Sequence, residues 1–546
     1  ADGTAKDKNL LGGKGANLAE MTNLGIPVPP GFTISTKVCT NFMDVGEFPH
    51  NLKIEVQNAL EEIEKIMGQI FGDPENPLLV SVRSGARQSM PGMMETVLNV
   101  GLTSETIPGL IEKSGDERFV YDAYRRLITM YADVVIEKSA GIEPKEGEGI
   151  REKLDGIMNK MKSQQGVEND SELSGESLKE LCVLFKAEIV NTLGEEFPDD
   201  PHTQLWGGIT AVFKSWNGKR AVSYRNIENI PHHWGTAVNI QAMVFGNMGD
   251  NCATGVAFTR NPATGENVFF GEWLPNAQGE DVVAGLRTPN PLNNLNEGSD
   301  AQKLPSLEDS MPTIYAELDS IQKRLETHYN DMQDIEFTIQ NGRLWMLQTR
   351  TGKRNGQAAV RMAVEMLEEG TIDEKTALMR VKPEQLDEIM HPMLDEQAEK
   401  KSELLAKGLP AGPGGASGQI VFTADEAEVW HKNGKRVILV RNETSPEDVH
   451  GMFASEAILT AHGGMTSHAA LVARGWGKCC VVGCADIRIS VVDKTLSANG
   501  TTLMEGDWLT LNGSNGKVYK GQIPLKAVNL KSNTCFQKLM KITDRH

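Results

Sequence analysis

His468 is the residue whose surroundings point most directly to chemistry in this 546-residue chain. It follows Gly463, Gly464, Thr466 and Ser467, and it stands where an apolar, helix-like stretch begins. The first turn of a helix has free amides and the positive end of the dipole, which disfavour a protonated imidazole and attract anions. A neutral imidazole in such a place is suited to accept a phosphoryl group covalently. From these residues alone, a histidine that caps the helix or packs near a turn is the alternative.

Residues 331–350 predict a hairpin with a second candidate site. Burial of one coherent apolar face favours a three-residue loop over a two-residue loop. That register sets Glu336 opposite Gln348, and Asp334 opposite Arg350. A carboxylate beside an amide oxygen suits Mg²⁺, and an arginine next to them suits a phosphate. A solvated face with an ordinary Asp–Arg pair across the strands is the alternative.

Two further cations stand beside glycines. Lys14 follows Gly12 and Gly13, where backbone amides can approach an anion, and Arg83 lies at the end of an apolar run before a Ser-Gly pair. Each of them taken singly also fits a surface cation next to a loop. The chain has no GxxxxGK[ST] motif, so together these features suggest a nucleotide site of another kind.

The stretch around His468 predicts strand, helix, strand, helix, strand over residues 436–483. Ser445, which is followed by proline, predicts the start of the first helix. Thr466 or Ser467 predicts the cap of the second helix, which puts His468 in its first turn.

Changes of pattern divide the chain into four segments. Apolar residues recur at helical spacing from about 105 to 200, which predicts an α-helical insertion, and a charged helical stretch precedes a Gly/Pro/Ala boundary. The segments that we expect are a first domain at 1–352, a helical linker at 353–405, a compact α/β domain at 406–522 and a tail at 523–546.

Composition excludes several classes of protein. The net charge of −19 argues against a general nucleic-acid binder, and no apolar run predicts a membrane span. Seven cysteines in so long a chain predict a reducing compartment and no disulfide framework. We interpret Cys479, Cys480 and Cys484 as small apolar side chains of a buried strand, because further zinc ligands at suitable spacing are missing.

Several long stretches together resemble the pyruvate, phosphate dikinase family. In the family's order they are LLGGKGANLAEM, SVRSGARQSMPGMM, NAQGEDVVAGLRTP, MQDIEF with LWMLQTRTGKR, ETSPEDVHGM and GGMTSHAALVARGWGKCCVVGC. The resemblance runs from about residue 9 to about residue 523, and its last stretch looks closer to plant-type enzymes than to phosphoenolpyruvate synthases.

The resemblance implies an α/β (α+β) fold and a phosphoryl-transfer reaction. An ATP-grasp nucleotide-binding domain that carries the helical insertion would precede a swivelling β/β/α phosphohistidine domain. In such enzymes the histidine attacks the β-phosphate of ATP and releases AMP. Phosphate then takes the terminal phosphoryl group as pyrophosphate, and the phosphohistidine exchanges with pyruvate and phosphoenolpyruvate at a third domain.

The same resemblance implies roles for individual residues. His468 would be the carrier, and Thr466 matches the threonine that a regulatory kinase and phosphatase modify in plant enzymes. Lys14, Arg83 and Arg350 would contact phosphates. Glu336 and Gln348 would hold Mg²⁺, with Asp334 near. Gln241 and Met243 would lie by the adenine.

The chain also departs from the family pattern. His462 stands where the family has arginine, and Glu95 stands where it has aspartate. We expect the C-terminal (β/α)₈ barrel to be absent, so that pyruvate and phosphoenolpyruvate would be partners only through that domain. The complete family is homodimeric, and chloroplast stroma or cytoplasm is the expected location. A phosphoenolpyruvate synthase-like dikinase, which releases orthophosphate, and an inactive nucleotide-binding remnant, which releases no AMP, are the alternatives.

Overall fold

The chain divides into two compact units with helices and strands in both. The first unit is Ala1–Gly249 with Trp345–Leu347, and the second is Asp250–Leu344 with Gln348–His546. This mixture agrees with the predicted α/β class. The computed structural model describes residues 1–90, 92–144, 147–167, 169–283, 289–296, 304–389, 392–526, 530 and 533–545.

The first unit is built on a four-stranded antiparallel sheet that is covered by helices. The strands of the unit are β1 (Gly31–Ile34), β2 (Ile70–Phe71), β3 (Pro77–Leu78), β4 (Val80–Ala86), β5 (Thr96–Val100) and β6 (Thr236–Ala242). Of these, β2 and β3 form a separate two-stranded sheet. Its helices are α1 (Lys8–Asn23), α2 (Thr36–Val45), α3 (Leu52–Met67), α4 (Ile107–Ser114), α5 (Glu117–Tyr131), α6 (Ile150–Gln165), α7 (Gly175–Leu193), α8 (Pro201–Ser215) and α9 (Lys219–Ile227). The sheet order is β1-β6-β4-β5, and α4 to α7 occupy the stretch where the sequence has helical periodicity.

Helix α1 is kinked at Gly12, which has φ 68° and ψ 171°. A side chain is excluded there, because a Cβ atom on Gly12 would lie 1.8 Å from the carbonyl oxygen of Gly85. This close approach packs the turn before Lys14 against the end of β4, the strand that carries Arg83.

A buried ion network stabilises the helices of the first unit. Asp122 on α5 contacts Arg125 at 2.7 Å and Arg126 at 2.9 Å, and Asp122 is 3% exposed. Burial alone would raise the pKa of Asp122, but the neighbouring arginines outweigh it and lower the pKa to about 2.

The second unit begins with an antiparallel sheet and continues into a helical stretch. Its first elements are β7 (Ala253–Phe258), β8 (Phe270–Pro275), α10 (Gly279–Val283), β9 (Asn290–Pro291), α11 (Leu307–Ser310), α12 (Pro312–Tyr329), β10 (Gln333–Gln340), β11 (Arg343–Thr351), α13 (Gly356–Glu368), α14 (Glu374–Arg380), α15 (Pro383–Ile389), β12 (Met393–Leu394) and α16 (Glu396–Lys401). The sheet order is β11-β10-β7-β8-β9.

An α/β sheet of eight strands forms the rest of this unit. Its elements and those that come after it are β13 (Leu404–Lys407), β14 (Leu409–Gly412), β15 (Gly415–Val421), α17 (Ala424–Lys432), β16 (Val437–Arg441), α18 (Val449–Ala454), β17 (Ala457–Thr460), α19 (His468–Gly475), β18 (Cys479–Val482), β19 (Arg488–Ser490), β20 (Thr495–Ala498), β21 (Thr501–Met504), β22 (Trp508–Asn512), β23 (Lys517–Lys520), β24 (Leu525–Lys526) and α20 (Thr534–Thr543). The four central strands, β15 to β18, are parallel and are joined by α17, α18 and α19.

The eight-stranded sheet is apolar on both faces. On β16, Val437 and Leu439 belong to one core cluster, while Ile438 and Val440 belong to the other. This is the near-continuous apolar run expected of a parallel strand covered on both sides. The cysteines at 479, 480 and 484 are all buried and unbridged, which confirms that they serve as apolar side chains.

No helix in the described ranges is long and apolar enough to cross a membrane.

We predict that Asp122→Asn destabilises the first unit by about 3 kcal/mol, because Arg125 and Arg126 lose the buried carboxylate that they share, while Arg125 keeps Asp170 at 3.1 Å. Because the pKa of Asp122 is lowered in the folded state, the loss of unfolding free energy relative to wild type is full above the ordinary carboxyl pKa range. This loss becomes smaller as the pH falls toward 2. Chemical denaturation followed by circular dichroism measures it. Glu62→Gln, which breaks the exposed Glu62–Lys65 pair, is the control and should cost less than about 1 kcal/mol. Equal effects of the two substitutions would contradict the role of the buried network.

Candidate functional site

His468 is the first residue of α19, which begins after the carboxyl end of β17. Ligands of open α/β sheets bind beyond this end of parallel strands. Ser467 stands at the N-cap position with φ −63° and ψ 162°, as predicted, but its side chain makes no capping hydrogen bond. The helix start is confirmed, and the expected hydroxyl cap is wrong.

The imidazole of His468 is held from the neighbouring loop. Its Nδ1 atom lies 3.0 Å from Oγ1 of Thr444, a residue in the loop after β16. The side chain is 7% exposed in this arrangement of the second unit. The contact fixes the orientation of the ring, and burial restricts access to it.

The carboxylate of Glu272 caps the segment before α19 from a different sheet. Oε1 of Glu272 accepts a hydrogen bond from the Met465 amide at 2.8 Å. Oε2 accepts from the Thr466 amide at 3.2 Å and from the Thr466 hydroxyl at 2.7 Å. Both amides belong to the turn before the N-cap residue Ser467, so Glu272 satisfies donors of that turn and not the free amides of the helix itself.

Sequence reasoning missed Glu272. The signal that could have revealed it is a single carboxylate inside the apolar stretch VFFGEWL, since a buried strand rarely keeps an uncompensated charge. Glu272 is 8% exposed, and burial raises its pKa, while the donors from Thr466 and Met465 oppose that rise.

Arg474, on the last turn of α19, was also missed. Its side chain is fully buried, its Nη2 atom donates to the carbonyl of Met465 at 2.5 Å, and its guanidinium lies 5.8 Å from the ring centre of Phe258. Glu272 and Asp334 are the carboxylates that act on it electrostatically. The signal was an arginine in the otherwise apolar stretch HAALVARG.

Helix α19 therefore packs in two directions. Ala469, Ala470, Val472 and Ala473 belong to a core cluster of the eight-stranded sheet. Leu471 instead joins the apolar cluster on β7 and β8.

Side chains of the β10–β11 hairpin meet as predicted, but the expected three-residue loop is wrong: only Asn341 and Gly342 lie between the strands, both with positive φ, as in a two-residue turn. Gln348 Nε2 donates to Glu336 Oε1 at 3.1 Å. Arg350 Nε donates to Asp334 Oδ2 at 2.7 Å. Burial raises the pKa of Asp334, and the charge of Arg350 opposes the rise. Oδ1 of Asp334 is buried and has no hydrogen-bond partner among the described residues.

Glu336 of the hairpin and Glu272 lie on one row of paired residues across the sheet. Val256 on β7 is paired with Glu336 on one side and with Glu272 on the other. Directly opposed residues project from the same face, so these two carboxylates are about 10 Å apart across the strands. The sheet thus presents the predicted metal ligands and the anchor of the His468 segment together.

The other predicted residues belong to the first unit. Lys14 follows the Gly12 kink, and Arg83 lies within β4. Gln241 is buried in β6, and its side-chain amide donates to the carbonyl of Pro29 at 3.1 Å. Met243 directly follows β6 and is half-buried.

The two departures from the family pattern have ordinary surroundings. His462 is exposed, with Nδ1 3.9 Å from a carboxylate oxygen of Glu443. Glu95 forms an ion pair with Arg220. Within the described part of the chain, no group of three or more His, Cys, Asp and Glu side chains is placed to hold a metal ion.

Two family profiles match the sequence. One is described as "Pyruvate phosphate dikinase, AMP/ATP-binding domain" and matches residues 8–53, 45–300 and 292–371. The other is described as "PEP-utilising enzyme, mobile domain" and matches residues 433–516, which include α19.

Curated relatives are similar along nearly the whole chain. A pyruvate, phosphate dikinase of Rhizobium meliloti (strain 1021) is 50% identical over 545 residues, which covers 100% of this chain and 59% of the relative. Pyruvate, phosphate dikinase 2 of Oryza sativa subsp. japonica is 52% identical over 525 residues, covering 96% and 56%. A Clostridium symbiosum pyruvate, phosphate dikinase is 48% identical over 546 residues, covering 100% and 60%.

The similarity covers only part of each of these relatives. The chain spans at most 60% of their length. The expected closeness to plant-type enzymes is not distinguished, because bacterial and plant relatives are similarly identical.

We predict that Gly464→Ala detaches the segment before α19 from Glu272. A Cβ atom on Gly464 would lie 2.6 and 2.7 Å from the two Glu272 oxygens and 2.8 Å from Cγ of Pro289, so the flexible carboxylate is expected to shift away from its donors. The Thr466 amide should then exchange its hydrogen about 10-fold faster or more, as expected when a charge-assisted hydrogen bond is lost. Hydrogen-exchange mass spectrometry measures it. Gly475→Ala is the control, because among the described residues its new Cβ would meet only Lys353 Cδ, at 3.8 Å. Unchanged exchange of the Thr466 amide in Gly464→Ala would contradict the contact between Glu272 and this segment.

Proposed function

Because the chain belongs to the pyruvate phosphate dikinase family, we propose that it transfers a pyrophosphoryl group from Mg·ATP to His468 and releases AMP. Phosphate then takes the terminal phosphoryl group as pyrophosphate, which leaves phosphohistidine. The phosphohistidine would then exchange with pyruvate to give phosphoenolpyruvate. The observation that carries the proposal is the position of His468 at the start of α19, beyond the carboxyl end of β17.

The contact with Thr444 supports His468 as a nucleophile. When Nδ1 carries the ring proton and donates it to Thr444 Oγ1, Nε2 has the lone pair that attacks phosphorus. The helix start disfavours a second proton on the ring and offers amides to the anion that becomes attached.

Burial of His468 requires a motion as part of the mechanism. A ring that is 7% exposed meets a triphosphate only after α19 separates from its covering surfaces. We therefore propose that the segment from 406 to 522 acts as a swivelling phosphohistidine domain of the β/β/α kind, and that the preceding region acts as an ATP-grasp domain with the helical insertion. The helical stretch from 353 to 405 would be the linker, and 523–546 the tail.

The hairpin fits a Mg²⁺ site by its chemistry. Carboxylate and amide oxygens are hard ligands, and the unpartnered Oδ1 of Asp334 is a buried anion that a cation would satisfy. Glu336 and Gln348 would hold the ion, with Asp334 beside them, and Arg350 would contact a phosphate. Bound Mg²⁺ would neutralise charge that develops on the phosphate oxygens.

The first unit would supply further nucleotide contacts. Lys14 and Arg83 would bind phosphates, supported by the glycine turn at Gly12. Gln241 and Met243 would lie by the adenine.

Thr466 is the proposed regulatory position, modified by a kinase and restored by a phosphatase. Its hydroxyl lies 2.7 Å from Oε2 of Glu272, so a phosphate dianion there would repel the carboxylate. A homodimer, as in the complete family, and a location in chloroplast stroma or cytoplasm complete the proposal.

We predict that incubation with β-³²P-ATP and Mg²⁺ labels the chain with acid-labile, base-stable phosphorus. His468→Asn should abolish the label, because it removes the nucleophile. His450→Asn is the control: His450 is a partly exposed histidine that contacts Asp425 in the same α/β segment, and its loss should leave labelling intact. Label that survives in His468→Asn, or its absence from wild type, would refute the proposal. Added phosphate should yield pyrophosphate, whereas orthophosphate release would indicate the synthase-type reaction.

We also predict that Glu336→Gln raises the Mg²⁺ concentration for half-maximal labelling by about 10–100-fold, as for weakened metal ligation elsewhere. A titration of label against Mg²⁺ measures the shift. The control is Asp319→Asn on α12, where the carboxylate pairs only locally with Lys323 and Gln322. An unchanged Mg²⁺ requirement in Glu336→Gln would exclude that residue as a ligand.

A further inference from the structure

Glu388 lies where the helices of the 353–405 stretch meet the end of α19. It belongs to α15, and its Oε2 atom accepts a hydrogen bond from the amide of Gly356, the first residue of α13, at 2.5 Å. One turn away on α15, Nε2 of Gln385 donates to the carbonyl of Arg354 at 3.2 Å. Two side chains of α15 therefore hold the start of α13.

The same carboxyl group packs against the turn that ends α19. A Cβ atom on Gly477 would lie 2.0 Å from Cδ of Glu388 and 2.4 Å from its Oε1. The Gly477 amide donates to the carbonyl of Arg474, and the residue has φ 63°. Glu388 thus contacts both the start of α13 and the end of the helix that begins at His468.

The charges on the linker side of this junction give Glu388 little compensation. From its own helix and the residue before it, Glu384 and Lys382 act on it with opposite signs. Arg354, just before α13, pairs with Asp331 at 2.8 Å. The hydrogen bond from the α13 amide is therefore the main polar support for the carboxyl group on this side.

The end of α19 brings two further cations to the region. Nζ of Lys478, the residue after Gly477, donates to the carbonyl of Ser455 at 2.6 Å. Cδ of Lys353 lies 3.8 Å from the place that a Cβ atom on Gly475 would take. Neither lysine is among the groups that set the charge state of Glu388.

The packed arrangement favours the protonated form of Glu388. Burial raises its pKa from the ordinary 4.5 to about 7, although the Gly356 amide opposes the rise. A raised pKa in the packed state means that packing is strongest below the ordinary carboxyl range. Packing then weakens as the pH rises through that range toward 7.

We propose that Glu388 is a pH-dependent latch, which fastens α13 and α15 to the turn after α19 when its carboxyl group is protonated and loosens them when it is ionised. The consequence for catalysis rests on the proposed swivelling motion: a looser latch at higher pH frees the α/β segment from the linker helices. Glu388 acts through α13 and α19, so it is a positioning residue.

The test follows hydrogen exchange of the full chain without nucleotide, in peptides that span residues 353–358 and 474–480. With rates corrected for the intrinsic effect of pH, protection in wild type should fall about 10-fold or more between about pH 5.5 and about pH 8, as the two pKa values require. Glu388→Gln keeps the volume and an acceptor but has no charge, so its protection should be the same at both pH values.

Matched variants separate the latch from general effects. Glu384→Gln removes an exposed carboxylate of the same helix and should keep the fall in protection. Gly477→Ala should displace Glu388 and lower protection of the Gly356 amide at both pH values. Gly434→Ala is its control, because Gly434 has φ 78° and a Cβ there meets nothing within 4 Å among the described residues.

Two results would overturn the latch. One is protection that is equal at both pH values in wild type, or that falls as much in Glu388→Gln. The other is protection in Gly477→Ala that matches Gly434→Ala. Because no ATP is present, failure here is distinguishable from failure to label His468.

Discussion

One carboxylate connects two sheets of the second unit. Glu272 projects from β8 and holds the amides of Met465 and Thr466, which are 193 and 194 residues away along the chain. The interaction satisfies the amides of the turn before α19, and it fixes the segment that leads into His468. Removal of the carboxylate would leave those donors buried and would take from Arg474 the negative charge that acts on it most strongly, so the arrangement depends on this contact.

The same contact explains why the candidate carrier is buried. Leu471 and Arg474 face the sheet of β7 and β8, while the alanines of α19 face its own sheet. Polar anchors with one leucine of α19 beside them suit the separation that the proposed swivelling motion requires. The row that joins Glu336, Val256 and Glu272 places the predicted metal ligands about two strand spacings from the anchor.

The local sequence pattern predicted those parts of the site that depend on residues close together in the chain. The alternation on β10 and β11 predicted that Glu336 and Gln348 meet, although the loop has two residues and not the expected three, and turn chemistry predicted the start of α19 at His468. Glu272 and Arg474 were not predicted, because each is a single charged residue in an apolar stretch. The sequence alone does not say which distant residue interacts with that charge. The expected hydroxyl cap was also wrong: the Ser467 side chain makes no capping hydrogen bond, and a carboxylate from another strand instead holds the two residues before it.

The coupling between Glu272 and Thr466 tests the central claim most directly. A double-mutant cycle of Glu272→Gln and Thr466→Val, read as the opening free energy from exchange of the Met465 amide, isolates the hydrogen bond between carboxylate and hydroxyl. A charge-assisted bond in a buried setting predicts a coupling of about 1.5–3 kcal/mol. Additive effects of the two substitutions would contradict the account, because they would mean that Glu272 does not hold the segment that carries His468.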